Sequence, residues 1–221
     1  MDAPLIDRKR KRLRAAALAT ALLACLPLGH AGYMGAKAGL AQVLLLRAWN
    51  RSLESGVAQK PWPWADTAPV ARLRVARLAV DEIVLRGDSG RTLAFGPGWA
   101  ESSAVPGGRG LSVVSAHRDT HFAFLRDLAA GDAIRIDSAA GSRTYTVRSL
   151  RVADSRNERI ETSSAADGLL LVTCYPFDAI DAGGPLRFVV AAVPDGESRD
   201  QSSDGSLPAP APASGLRSRM R

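Results

Sequence analysis

The sequence predicts an all-β domain, a barrel or a sandwich, carried behind an N-terminal transmembrane helix. Three observations predict it. Seven short apolar runs lie between residues 71 and 193, with Gly-rich or polar breaks between them. One short helical pattern interrupts them, too little helix for an α/β fold. Residues 15–36 carry no charge with His30 neutral, directly behind a basic run. At 221 residues the chain has room for one domain of roughly 100–150 residues plus extra segments. Its content of 46% hydrophobic and 23% charged residues is that of an ordinary globular protein, able to fold without disulfides or metals.

The N-terminal segment is the clearest. DRKRKRLR (7–14) precedes AAALATALLACLPLGHAGYMGA (15–36). Twenty-two helical residues reach about 33 Å, enough for a hydrocarbon core of about 30 Å. The basic flank keeps residues 1–14 cytoplasmic and sends the rest across the membrane. A cleaved signal peptide is an alternative reading of the same stretch, as is a lipoprotein box, Leu22-Leu23-Ala24-Cys25. Residues 37–69 form a juxtamembrane segment. LAQVLLLRAWNRSLESG (40–56) has the spacing of a short amphipathic helix, apolar at Leu40, Val43, Leu44 and Ala48. The prolines of PWPWADTAP (61–69) end it, leaving a linker whose tryptophans pack on the domain or on the membrane surface.

The domain proper spans 70–193. ARLRVARLAV (71–80), EIVLRG (82–87), LSVVSAH (111–117), AIRID (133–137), TYTVRSLRV (144–152), LLLVTC (169–174) and LRFVVAAV (186–193) read as strands. FAFLRDL (122–128) reads as a short helix capped by Asp119 or Thr120. Residues 194–221, rich in Pro, Ser, Gly and charge, read as a disordered tail.

The net charge of +7 resembles a nucleic-acid signal until it is located. Residues 1–14 contribute +4 and residues 201–221 contribute +2, which leaves +1 for everything between. No basic patch with interleaved aromatics occurs in the body, so nucleic acid is excluded as a partner.

Chemistry concentrates at three places. With Cys25 in the apolar N-terminal stretch, Cys174 is the one thiol of the domain. It ends an apolar strand just before the loop YPFDAIDAGGP, where a groove can reach it, although a lone cysteine also suits a core. His117 ends another strand and precedes the polar turn RDT. His121 follows four residues later, but HRDTH lacks the glutamate that a zincin helix places beside its first histidine. Arg187 sits near the start of the last strand, on the face opposite Leu186 and Phe188. A thiol attacks an amide as thiolate, and free cysteine has a pKa near about 8.5. A neighbouring imidazole can stabilise the thiolate or protonate the leaving amine, and a fixed guanidinium can hold the oxyanion.

SAHRDTHF (115–122), LLVTCYP (170–176) and PLRFVV (185–190), in that order on short strands, resemble the sortase family over roughly residues 70–193. The resemblance implies a sortase-like closed β-barrel with short helices and a cysteine transpeptidase activity. It implies catalytic roles for Cys174 as nucleophile, His117 as acid–base and Arg187 at the oxyanion or substrate. Thr173 would shape the groove, and His121 would contact substrate or pack beside it. It further implies an exported substrate protein bearing an L-P-x-T-G-like tail, an amine acceptor in the cell envelope, and no cofactor or metal. AHRDTHF, VTCYPFDA and GGPLRFVV, together with PWPWADTAPVARL, are most similar to the Gram-negative, proteobacterial sortase group. That group places the chain as a single-pass protein of the inner membrane with its domain in the periplasm. L,D-transpeptidases are the nearest alternative, but Leu171, Val172 and Thr173 replace the Ser-His-Gly that precedes their cysteine. A tethered binding domain with Cys174 in its core is the non-enzyme alternative.

Overall fold

The computed structural model describes residues 3–159, 166–179, 181 and 183–196. The expected tail beyond Gly196 lies outside them. A single helix, α1 (Ala3–Ser55), opens the chain. Eight strands follow: β1 (Pro69–Val75), β2 (Val80–Arg86), β3 (Gly98–Trp99), β4 (Leu111–Ser115), β5 (Ala133–Ser138), β6 (Gly141–Asp154), β7 (Gly168–Cys174) and β8 (Leu186–Pro194). They close into a barrel in the order β1-β2-β3-β4-β7-β8-β6-β5, with β5 pairing back onto β1. Closure removes the exposed sheet edges that a sandwich would leave, and decides between the two architectures that patterning left open.

Period-two alternation builds the core. Along β7, Leu169, Leu171 and Thr173 are buried while Leu170, Val172 and Cys174 are half-buried on the outer face. β5 buries Ile134 and Ile136 in the same way, and each such side chain contributes about 1.5–3 kcal/mol. Phe122 and Leu125, from the connection between β4 and β5, plug the same core.

Four expectations change. The run 71–80 is no single strand: β1 stops at Val75, a 3₁₀ turn covers Ala76–Leu78, and Ala79 takes φ 52° before β2 begins. FAFLRDL forms a 3₁₀ turn over Ala123–Asp127, too short for an α-helix, and no side chain caps it. β3 escapes notice in the sequence because two residues show no alternation. Gly98 is required there, since a Cβ would collide with the Gly87 carbonyl. The fourth change concerns the docked face of α1, a helix that runs unbroken through Pro27 and Gly39. Its buried stripe is Ala41, Leu45, Ala48, Trp49 and Ser52; of the expected positions Ala48 is buried and Leu44 half-buried, while Leu40 and Val43 are exposed. Leu45 and Trp49 pack on Ile83 and Leu85 of β2 and on Phe95, and Gln42 donates to the Phe95 carbonyl at 2.8 Å. The linker folds back behind this contact, with Trp62 edge-on to Phe95 and Trp64 exposed.

Candidate active site

β7 and β8 are antiparallel, and Cys174 stands directly opposite Arg187. Such partners share a face with Cβ atoms about 4.5–5.5 Å apart. On the other side β4 runs parallel to β7, with Ser115 opposite Val172. Beyond the end of β4 the Ala116 N–H still donates to the Val172 carbonyl, at 3.3 Å. The Thr173 hydroxyl donates to the Ala116 carbonyl at 2.7 Å. His117 follows Ala116 directly, just beyond the last paired residue of β4. Cys174, His117 and Arg187 therefore all lie at one rim of the barrel, at the end of β7, just beyond β4 and near the start of β8. His117 is exposed, and Cys174 and Arg187 are half-buried.

Thr173 is corrected by this register. Expected in the groove, it points into the core at 2% exposure, with its hydroxyl spent on Ala116. It ties the strand that ends in Cys174 to the segment that carries His117, and reaches a ligand only through them. His121 also departs from a simple contact role. Its Nδ1 lies 2.8 Å from Glu82 Oε2 near the start of β2, which joins the turn after His117 to the neighbouring wall.

Arg118 is the residue that sequence reasoning passed over, as part of a polar turn. It is 8% exposed. Its Nη2 donates to the carbonyls of Ala179 and Asp181, at 2.8 and 2.7 Å, while Nη1 is buried without a partner. The guanidinium clamps the loop between β7 and β8 onto the segment of His117. Strand parity held the signal: if His117 faces outward, the next side chain faces inward.

Other bonds hold the same loop. Ser155 donates to the Pro185 carbonyl through both its N–H and its hydroxyl, at 2.9 and 2.8 Å, and Tyr175 N–H donates to the Leu186 carbonyl at 3.1 Å. Arg187 Nη1 donates to the Gly184 and Leu186 carbonyls, at 2.7 and 2.8 Å, which pins its guanidinium beside the loop. Phe177 packs edge-on to Phe188 at 5.2 Å, with the Arg126 guanidinium over its other surroundings at 5.2 Å from the ring centre. Further round the rim Arg77 grips Asp132, and this hydrogen bond lowers the carboxyl below its ordinary range.

A rim of this kind can take an extended peptide against the outer faces of β4, β7 and β8 and present one carbonyl to a thiol. Comparison with known proteins bears on the family and the fold. A family model described as the Sortase domain matches residues 73–195. A protein named Sortase D from Bacillus subtilis (strain 168) is 29% identical over 119 residues, a match covering 53% of this chain and 60% of that protein. Among solved structures, a Clostridium perfringens Sortase D5 transpeptidase aligns with TM-score 0.58 at 17% identity, over 72% of this chain and 99% of its own. Sortase A from Corynebacterium diphtheriae aligns with TM-score 0.52 at 23% identity, over 59% of this chain and 62% of its own. At these identities the two structures speak for the fold alone.

Proposed function

The chain belongs to the sortase family, and from that membership we propose that it is a membrane-anchored cysteine transpeptidase whose site is Cys174, His117 and Arg187. The observation that supports the reading is the topology that brings the ends of β4 and β7 and the start of β8 to one rim, with Arg187 paired opposite Cys174.

The reaction runs in two halves. The Cys174 thiolate attacks the Thr–Gly carbonyl of an L-P-x-T-G-like tail. Arg187 faces the developing oxyanion, whose charge a preorganised guanidinium stabilises more than it does the neutral carbonyl. His117, as imidazolium, gives its proton to the departing glycine amine, the C–N bond breaks, and a thioester remains on Cys174. An incoming amine then attacks the thioester and loses a proton to His117. The C–S bond breaks, and thiolate and imidazolium are restored beside a new amide. Thr173 acts on substrate only through the two segments it ties together, and His121 through the turn it fixes to Glu82.

The residues 15–36 span anchors the chain as a single pass in the inner membrane. The basic run 7–14 stays in the cytoplasm, and the domain, residues 70–193, stands in the periplasm. The anchor is supported by an N-terminal helix long and apolar enough to cross a bilayer, and the orientation by the basic run before it. The acceptor is an amine of the cell envelope.

The test is intact-mass spectrometry of the full chain in detergent, incubated with a library of L-P-x-T-G-like peptides. One library member should add the mass of its N-terminal fragment to the protein, at Cys174. Cys174→Ala should abolish adduct and cleavage, and Cys25→Ala should leave both. Cleavage surviving Cys174→Ala would overturn the reading.

A further inference from the structure

The direction in which α1 crosses the barrel sets which end of the barrel meets the membrane. Two landmarks give that direction. Near its membrane side, Gln42 reaches the Phe95 carbonyl, and Phe95 lies level with Ile83 because Gly96 abuts the Ile83 carbonyl. Towards its end, Trp49, Ser52 and Leu53 line a cleft shared with Pro69, Arg86 and Ala139. From Gln42 to Ser52 the helix advances about 15 Å. Over that length it passes from the level of Ile83 to that of Arg86, in the same sense as β2.

The barrel's pairing gives β2 its polarity. β2 is parallel to β3, β3 is antiparallel to β4, and β4 is parallel to β7. β2 therefore starts at the rim where β7 ends in Cys174. A helix travelling with β2 arrives from beyond that rim, and its apolar span lies on that side. Ala36 ends the uncharged span only six residues before Gln42, about 9 Å of helix. A headgroup layer of roughly 5–8 Å accounts for most of that distance. The docked stripe, with Leu45 and Trp49 buried on β2, makes α1 and the barrel one body.

We propose that α1 is a rigid strut that holds the barrel with its Cys174 rim facing the lipid headgroups, and the bilayer surface is the partner of that rim. The inference rests on the reading of α1 as the membrane anchor, given above. It adds that the site works on peptide presented close to the membrane surface, and that the opposite rim, with Ala140, faces away.

The experiment compares two exposed alanines that bracket one strand. Ala130 precedes β5 at the Cys174 rim, and Ala140 follows it at the far rim. In a full-length chain carrying Cys25→Ala and Cys174→Ala, Ala130→Cys or Ala140→Cys is labelled with a small fluorophore. The protein is reconstituted into phosphatidylcholine vesicles bearing a short-range quencher on the headgroup. Quenching at position 130 should exceed that at 140 by at least about threefold. Seven helical residues inserted after Lys37 keep the helix phase nearly unchanged and lift the barrel by about 10 Å. That variant should lose most of the quenching at 130. Equal quenching at both positions, stronger quenching at 140, or indifference to the insertion in a membrane-bound chain would overturn the strut and leave the anchor standing. A chain that failed to enter vesicles would overturn both. Peptide cleavage in detergent is unaffected by either outcome, so failure of the transpeptidase reading is seen separately.

Discussion

Adjacent residues at the site have opposite surroundings, and this explains which substitutions should damage chemistry and which the frame. His117 is exposed and Arg118 is buried; Cys174 is half-buried and Thr173 is sealed in the core. His117→Ala removes a positioned acid–base and should lower turnover by at least about 100-fold with folding intact. His121→Ala breaks the bond to Glu82 and should cost much less, through substrate binding or stability. Steady-state kinetics of the two purified variants, with circular dichroism to check folding, decides this. Equal damage from both would withdraw His117 as the acid. Arg118→Met keeps the stem and removes the two bonds to the Ala179 and Asp181 carbonyls. Hydrogen bonds from a charged donor are the stronger kind, so the expected loss in denaturant unfolding is about 2 kcal/mol. Faster proteolysis within residues 176–185 should accompany it. An unchanged midpoint and an unchanged loop would show that the clamp is idle.

At the scale of elements, the far side of the barrel is laced by one carboxylate. Asp137 on β5 accepts from Arg74 of β1, from Arg135 on its own strand and from Ser142 of β6, joining three strands. Burial alone would raise its pKa, but the hydrogen bonds from Ser142, Arg135 and Arg74 prevail and hold it down at about 2. Asp81, bonded by Arg72, and Asp132, bonded by Arg77, move the same way. A depressed folded-state pKa means stabilisation that is present above the unfolded value of about 4 and is lost as pH falls through about 2. The melting temperature of the wild type should therefore fall between pH 4 and pH 2. Asp137→Asn should start lower at pH 6 and fall less steeply over that interval. Parallel curves for the two proteins would show that Asp137 contributes nothing to acid sensitivity.

On the scale of the whole molecule, α1 is divided by what it touches. Residues 13–40 are exposed wherever their side chains are described, and the segment from Ala41 to Ser52 buries a stripe on the barrel. Deleting residues 1–36 should leave a water-soluble protein with the stability of the barrel intact. Deletion of residues 1–56 uncovers Ile83 and Leu85 and should cost about 3 kcal/mol or more, the scale of losing a buried Trp or Leu. Thermal or denaturant unfolding of both truncated chains measures the difference. If the shorter chain proved equally stable, the docked stripe would be an incidental contact.

Short-range patterns were legible without a structure. The apolar run LLLVTC, the alternation in AIRID, the uncharged span behind DRKRKRLR, and the ordered motifs around His117, Cys174 and Arg187 are properties of neighbouring residues, and they led to an all-β fold behind a membrane helix and to the three site candidates. Length limited the rest: β3 is too short to alternate, and the 3₁₀ turn at 123–127 too short to show a helical period. Everything that depends on which segment lies against which was decided by tertiary structure. Closure into a barrel needs β5 to find β1, and the site needs β4, β7 and β8 in one register. The docked face of α1 was legible only in part, at Ala48 but not at Leu40 or Val43, because an apolar helix offers several faces, and only Ile83 and Leu85 choose among them. Arg118 read as part of a polar turn and Thr173 as a wall of the groove, yet both are buried, because the carbonyls they bond lie 57 or more residues away. A period of two says that a side chain alternates; the register of a distant strand says which side is inside.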